Sequence, residues 1–470
     1  MRGQLVVDLP IHLDHDGALG LTAQLVTQLR ALIDQGRLHH DDALPSSRAL
    51  ASDLDIARGT VVAAYDQLQA EGYLISHPGS GTRVGAVATL THKPIQAPPS
   101  SSAAPPQIPL IDLRPGTPDV SAIVSPPWRR AWREAVNDPR ALSDPRGLPA
   151  LRHEITEHLR LMRSLMRPAD QVMVTSGARE GLSLLLAALS ARWRRPPIVG
   201  VERPGHPALA AIPAAMGLQT IALRTDRHGL VTAELPDPDH GPVPDVVVVT
   251  PSHQYPSGGS LSIGRRQQLL DWAGHADAVI VEDDFDSELR YVGMPLPALA
   301  TLDDPDAGRV ALLGTFSTVL TPAVATGYLA MPQQLAQLVT EHRAIVGSPV
   351  PALVQQALAN YLASGELRRH IQRMRREYRR RRALIVSSFA DLETVSLSGL
   401  SGGLQAVLHT RTPASTIIAR LRTSGLLVGD LADFWGVSSP SMNGIVFGFG
   451  AVDGPTLRRA VPLIAQACQP

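Results

Sequence analysis

The stretch DVVVVTPSHQYPSGGSLSIGRRQQLLDWAGHADAVIVE (245–282) decides how the larger part of this chain folds. It opens on one short apolar run, Asp245–Thr250, and closes on another, Ala278–Glu282, both rich in valine and isoleucine. Between them a Pro/Ser/Gly-rich loop leads into Ile263–His275, which reads as a helix. Continuous apolar strands separated by a helix mark parallel strands covered on both faces. Working outward, Gln171–Thr175, Ile198–Glu202, Val310–Gly314 and Thr326–Met331 are further strands of this kind, with helices expected at Gly181–Arg192 and Gln333–Ile345. The expected fold class is therefore α/β, with a mostly parallel sheet and helices on both faces. Thr394–Leu397, Gly403–His409 and Gly444–Phe449 announce a smaller C-terminal α+β subdomain.

A composition break divides the chain. Residues 86–110 are rich in Pro, Ala and Ser and read as an extended tether between a small domain, 1–85, and a large one, 111–470. The 43 basic and 43 acidic residues cancel, so bulk charge points to no partner and any nucleic-acid surface must be local. The one cysteine, Cys468, excludes an intrachain disulfide and suits a reducing cytosol. The N-terminus lacks a long apolar segment, and no run reaches the roughly 18 apolar residues of a membrane helix, so a cytoplasmic protein with no membrane contact is expected. The whole chain holds a single lysine, Lys93, and it lies in the tether.

Residues 44–72, LPSSRALASDLDIARGTVVAAYDQLQAEG, hold two short helices joined by a turn at Asp55–Ala57. Ser46 or Ser47 caps the first, and Leu50, Leu54, Val61, Tyr65 and Leu68 face inward. YLISHPGSGTRVG follows, two short strands around a Pro-Gly-Ser-Gly tip. This order closely resembles the GntR-type winged helix-turn-helix over about residues 10–85. The resemblance implies that Arg48, Arg58 and Thr60 contact phosphate or base edges, and that the wing tip, Ser80, Gly81 and Arg83, reaches the adjacent groove. Arginine supplies a planar fork for phosphate or guanine, and glycine lets backbone approach the duplex. Ala57 stands where the family has a capping serine. Residues 1–85 carry six arginines against ten acids, so nonspecific DNA affinity should be modest. A winged helix used only for protein contacts is the alternative.

From about Ile111 the chain resembles the aminotransferase-like, fold-type-I domain of the MocR (GabR-like) subfamily of GntR regulators. The landmarks are LRPGTPDVS and PPWRRAW (113–132), SDPRGLPALRHEI (143–155), VTSGAREGL (174–182), ERPGHP (202–207), TPSHQYPSG (250–258), EDDFDSELRY (282–291) and GTFSTVLTPAVATGYL (314–329). By that resemblance Thr318 stands where the lysine binding pyridoxal phosphate belongs, Ala325 where an arginine clamps its phosphate, Phe285 where a tyrosine meets its phenolic oxygen, and His206 where an aromatic ring stacks on it. Ser441–Gly450, the place for a substrate-carboxylate arginine, contains none. Asp283, the partner of a protonated pyridine nitrogen, is kept, as are the hydroxyl of Thr315 and the Gly177–Ala178–Arg179 turn that opens a helix. Asp283 has a second reading, a buried carboxylate held by neighbouring backbone.

These residues, with His253 in the loop after a strand, form the expected effector pocket, a degenerate cofactor site. No catalytic residue, no metal and no covalently held cofactor are expected; His206, His253 and Asp283 lack any short metal-ligand spacing. Relatives form head-to-tail homodimers, and a tether of about 24 residues at roughly 3.1 Å each spans some 70 Å. The expectation is an operator-binding regulator, not an enzyme, whose large domain dimerises and senses an unknown small molecule. The rivals are a regulator that binds pyridoxal phosphate noncovalently, a scaffold with no ligand, and an aminotransferase-type enzyme. The arginine run 368–382 reads as a solvated or inter-subunit helix, or as a second DNA contact.

Overall fold

The computed structural model describes residues 9–15, 17, 19–77, 81–86, 110–139, 143–293, 296–435 and 443–469. Most of the expected tether, including Lys93, lies outside the described residues, as do Ser80 of the wing and Ser441. The chain divides into two units, Met1–Pro106 and Gln107–Pro470.

In the small unit Leu21–Asp34 (α1), Ser47–Asp53 (α2) and Arg58–Ala70 (α3) pack around Leu25, Leu29, Leu50, Val61, Tyr65 and Leu68. The Ser46 hydroxyl caps α2 by accepting from the Ala49 amide at 3.2 Å. Ala57 leaves the start of α3 with no side-chain cap. Leu54, at the turn, is only half-buried against this core. Leu74–His77 (β1) and Gly81–Val84 (β2) pair antiparallel as the wing, with Leu74 opposite Val84. Gly81 sits at φ 86, a left-handed conformation that glycine adopts without a Cβ clash.

The large unit opens with Ile111–Asp112 (β3), Pro126–Val136 (α4) and Pro149–Arg163 (α5). Strands and helices then alternate: Val172–Thr175 (β4), Ala178–Trp193 (α6), Val199–Arg203 (β5), Pro207–Ala215 (α7), Thr220–Asp226 (β6), Gly229–Leu230 (β7), Val246–Val249 (β8), Ile263–Ala276 (α8), Val279–Asp284 (β9), Val310–Thr315 (β10), Gly327–Ala330 (β11) and Gln333–Val346 (α9). Ala352–Ala363 (α10) and Glu366–Phe389 (α11) lead to the last part: Val395–Ser398 (β12), Gln405–Thr410 (β13), Ala414–Thr423 (α12), Leu426–Leu427 (β14), Gly429–Asp430 (β15), Gly444–Gly448 (β16) and Gly454–Ala467 (α13).

The central sheet has the order β4-β11-β10-β9-β8-β5-β6-β7. The neighbours from β10 to β6 are parallel; β11 runs against both its neighbours, and β7 against β6. The valine run explains itself here. Val247 and Val249 join Ile280 and Leu312 in the core beneath α5 and α8, while Val246 and Val248 join Val281 and Leu313 against α6, α7 and α9. Both faces of the sheet are covered, so no polar alternation survives. The β6–β7 edge was not legible in the sequence: along Thr220–Asp226 only Leu223 is buried. β12, β13, β16 and β15 form a second, antiparallel sheet, and β14 pairs with β3.

Two charged segments differ from their sequence reading. β9 runs two residues past Glu282, through Asp283 and Asp284, all buried. Acids end a strand only when nothing neutralises them, and Arg163 of α5, 1 % exposed, does so. Its Nε lies 2.8 Å from Asp284 and its Nη2 lies 3.4 Å from Glu282. The arginine run of α11 is also not uniformly solvated. Arg381 is buried, ion-pairs with Asp119 at 2.7 Å and donates to the carbonyls of Gly450 and Val452. Arg375 and Arg382 donate to the carbonyls of Arg290 and Leu400. Arg368, Arg369, Arg373, Arg376, Arg379 and Arg380 are exposed.

Candidate functional site

In the small unit, Arg58 is the first residue of α3 and is exposed, with its Nε donating to the Ser47 hydroxyl at 3.3 Å. Arg48 is exposed at the start of α2, and Thr60 is half-buried in the first turn of α3. Arg48, Arg58 and Thr60 therefore cluster where two helices begin. Arg83 is placed differently. Its guanidinium donates to the Asp41 carbonyl at 2.7 Å and lies 3.5 Å from the Asp41 carboxylate. The wing strand turns this side chain back onto the segment before α2 (Ala43 bridges Arg83), so it is not a free cation at the wing tip.

In the large unit a cavity of about 380 Å³ opens at the C-terminal ends of the parallel strands, the edge where α/β sheets bind ligands. Nine of the ten expected pocket residues line it. Gly177, Ala178 and Arg179 come from the turn into α6, with Gly177 at φ 84. Thr315 and Thr318 come from the end of β10 and the loop after it, Ala325 from the short helix beyond, His206 from the start of α7, and Asp283 and Phe285 from the end of β9.

His253 does not line this cavity. It packs behind the ring of Phe285, centroids 5.9 Å apart, with its Nδ1 2.8 Å from Asp286. The loop is pinned by Gln254, whose amide donates to the carbonyls of Pro204 and Tyr255, and it presents Tyr255 to the cavity instead. Sequence reasoning passed over Tyr255 because it weighed the titratable neighbour; the ring beside a proline in the same loop was the available signal. Asp286, Ser176, Ser317 and Gln405 also line the cavity and were not singled out. Gln405 comes from β13, far along the chain.

The chemistry of the walls is uneven. Thr318 donates its hydroxyl proton to the Phe285 carbonyl. Tyr255 stacks on His206 at 4.8 Å and meets Phe285 edge-on at 5.2 Å. Burial, with Arg179 adding to it, pushes the His206 imidazole down to about 4, so the ring is neutral at pH 7. Asp283 is 4 % exposed, and neither of its oxygens has a hydrogen-bond partner among the described residues. Burial, then Asp284, Asp286, Glu202 and Glu282, hold its carboxyl well above the usual carboxylate range. The backbone partners that would make it a purely structural carboxylate are not there. At the start of α6 the Glu180 carboxylate accepts from the Ser176 amide at 2.9 Å and pairs with Arg343 at 2.7 Å. Among the described residues none is a lysine, and no cluster of three metal-ligating side chains occurs.

Glu202 lies beside this site, fully buried, accepting from the hydroxyl and amide of Thr250. Burial raises its carboxyl from 4.5 to about 7. A carboxyl raised on folding favours the folded state below its ordinary range, and that advantage is lost as pH climbs through 7. Glu202→Gln is therefore expected to stabilise the large unit at pH 8 by on the order of 3 kcal/mol and to change little at pH 5. Thermal unfolding at the two pH values checks it.

Comparison with known proteins agrees with both units. The family described as bacterial regulatory proteins, gntR family, matches residues 21–84, and aminotransferase class I and II matches residues 109–432. The chain is 47 % identical to the HTH-type pyridoxine biosynthesis transcriptional regulator PdxR of Corynebacterium glutamicum, over 98 % of this chain and 99 % of that one. It is 32 % identical to the probable rhizopine catabolism regulatory protein MocR of Rhizobium meliloti, over 97 % of this chain and 95 % of that one. Among solved structures, an archaeal alanine:glyoxylate aminotransferase superposes with a TM-score of 0.69 at 21 % identity, covering 77 % of this chain and 91 % of that one, a likeness of fold. A GntR winged helix followed by a fold-type-I aminotransferase domain, shared end to end with named regulators, places this chain in the MocR-type family of GntR transcriptional regulators.

Proposed function

We propose that this protein binds operator DNA through its winged helix and that its aminotransferase-class domain acts without covalent pyridoxal phosphate, dimerising the protein and sensing a small molecule. The observation that carries this reading is the cavity wall. Where the family resemblance puts an amine, a phosphate clamp and a phenol, the cavity holds the Thr318 hydroxyl, already bonded to a carbonyl, the Ala325 methyl and the Phe285 ring. The amine, the phosphate-clamping guanidinium and the phenol are missing together, and each charged hydrogen bond lost is worth about 1.5–3 kcal/mol. The residues present do not fit that cofactor as an internal Schiff base, and with it goes aminotransferase chemistry.

Purified protein incubated with pyridoxal phosphate is expected to give no borohydride-reducible band and no covalent adduct by intact mass. A stoichiometric adduct on the large unit would overturn the reading. A second reading, noncovalent pyridoxal phosphate, draws on unpartnered Asp283 and on the pyridoxine-biosynthesis name of the 47 % identical relative. It predicts a saturable shift of the cofactor's absorbance that dialysis reverses. The head-to-tail homodimer of the family belongs to the same proposal; sedimentation should return twice the 50.2 kDa chain mass.

A further inference from the structure

Granting the effector-sensing reading of the large unit, on which this inference rests, we propose that the cavity takes an organic cation, with ammonium or amidinium N–H groups against Asp283 and an apolar body among His206, Tyr255 and Phe285.

A space of about 380 Å³ is of the size that holds small ligands. Among its buried polar groups is the Asp283 carboxyl, whose two oxygens meet no donor among the described residues. Native proteins seldom leave such a group unpaired, because an unsatisfied buried acceptor costs free energy that a ligand donor would return. The second carboxylate of the wall, Asp286, already has His253 at 2.8 Å. One acid is thus left over, and no buried cation in the wall answers it. Arg179, the cationic lining residue, is exposed.

The neutral groups point the same way. Thr318 has given its proton to the Phe285 carbonyl, so its oxygen faces a ligand with lone pairs only. The rings of Tyr255 and Phe285 supply π surface that attracts a cation over its face. Neutral His206 adds a ring whose Nδ1 is buried without a partner. For an anion the wall offers the exposed Arg179 and the unpartnered amide nitrogen of Gln405, neither of them a buried cation. The amide of Ser176 is already taken by Glu180, which is itself paired with Arg343. With an amine at Thr318 and a guanidinium at Ala325 the cavity would carry two further cations; as it stands, the buried ionisable group it leaves unpartnered is the Asp283 carboxyl.

The test compares three probes of one shape on the full chain, benzylamine (cation), benzyl alcohol (neutral) and benzoate (anion), by isothermal titration or ligand-observed NMR up to about 10 mM, a range suited to ligands this small. Benzylamine is expected to bind at least about tenfold more tightly than the other two, and Asp283→Asn to erase that preference. The comparison on the unaltered protein stands even where the variant does not fold. Benzoate binding as tightly as benzylamine would overturn the cation assignment while leaving a ligand-sensing cavity in place, as would benzylamine binding that a folded Asp283→Asn variant does not change. Binding of none of the three would overturn the cation assignment and the ligand-sensing reading together.

Discussion

Arg58→Ala is expected to abolish operator shifts while leaving the oligomeric state and the folding of both units unchanged. Arg58 is exposed at the first position of α3, and among the described residues its side chain's one hydrogen bond is a 3.3 Å contact to the Ser47 hydroxyl. Alanine is a better helix former, and the side chain leaves no buried partner behind, so stability should move by only a few tenths of a kcal/mol. Binding has more to lose. A guanidinium fork on a guanine edge is worth about 1–3 kcal/mol, and the proposed dimer would lose it at both half-sites. The small unit is acidic overall, so little nonspecific attraction remains to mask the loss. Fragments selected on the unaltered protein from genomic DNA supply the operator, mobility shifts read the binding, and sedimentation reads the oligomeric state. Undiminished shifts would remove α3 as the reading helix. Arg83→Ala should weaken binding far less, because its guanidinium is held by Asp41.

Arg163→Met should cost the large unit about 3–5 kcal/mol, the largest stability effect predicted for the described residues. The guanidinium lies among Asp284, Glu282 and the Ser252 hydroxyl, with Nη1 donating to the Leu296 carbonyl. Methionine fills much of the same space yet leaves two buried carboxylates without their cation, of which Glu282 keeps donors, the amides of Leu299 and Ala300. They must then take up protons or drag water in, and either response loosens the end of β9. Because the cost is uncompensated charge rather than lost volume, Arg163→Met combined with Asp284→Asn should recover a substantial part of it. Urea unfolding followed separately for the two units measures both variants. A loss under about 1 kcal/mol for the single variant would show that the acids are stabilised by something other than Arg163. Asp283 lies on that strand, beside Asp284, so the same variant should also weaken whatever the cavity binds.

Local pattern carried a good deal of this molecule. Unbroken valine and isoleucine runs can only be strands covered on both faces, and β4, β5, β8, β9, β10 and β11 fall within one or two residues of their expected places. The turn at Asp55, the inward stripe Val61, Tyr65 and Leu68, and the uncapped start at Ala57 are likewise properties of short segments. The absence of lysine from the large unit is plain composition.

What short segments could not reveal is which side chains from distant segments meet. Tyr255 rather than His253 faces the cavity because Gln254 bonds to Pro204, on another strand's loop. Arg83 is spent on Asp41, and Arg381 is buried on Asp119, although each reads in sequence as a surface cation. Asp283 and Asp284 are adjacent in sequence and differ in circumstance: Asp284 is ion-paired with Arg163, whereas Asp283 has no cation or donor beside it among the described residues. Periodicity states which face of an element is covered, whereas charge matching is a property of pairs, and only the folded chain decides the pairs.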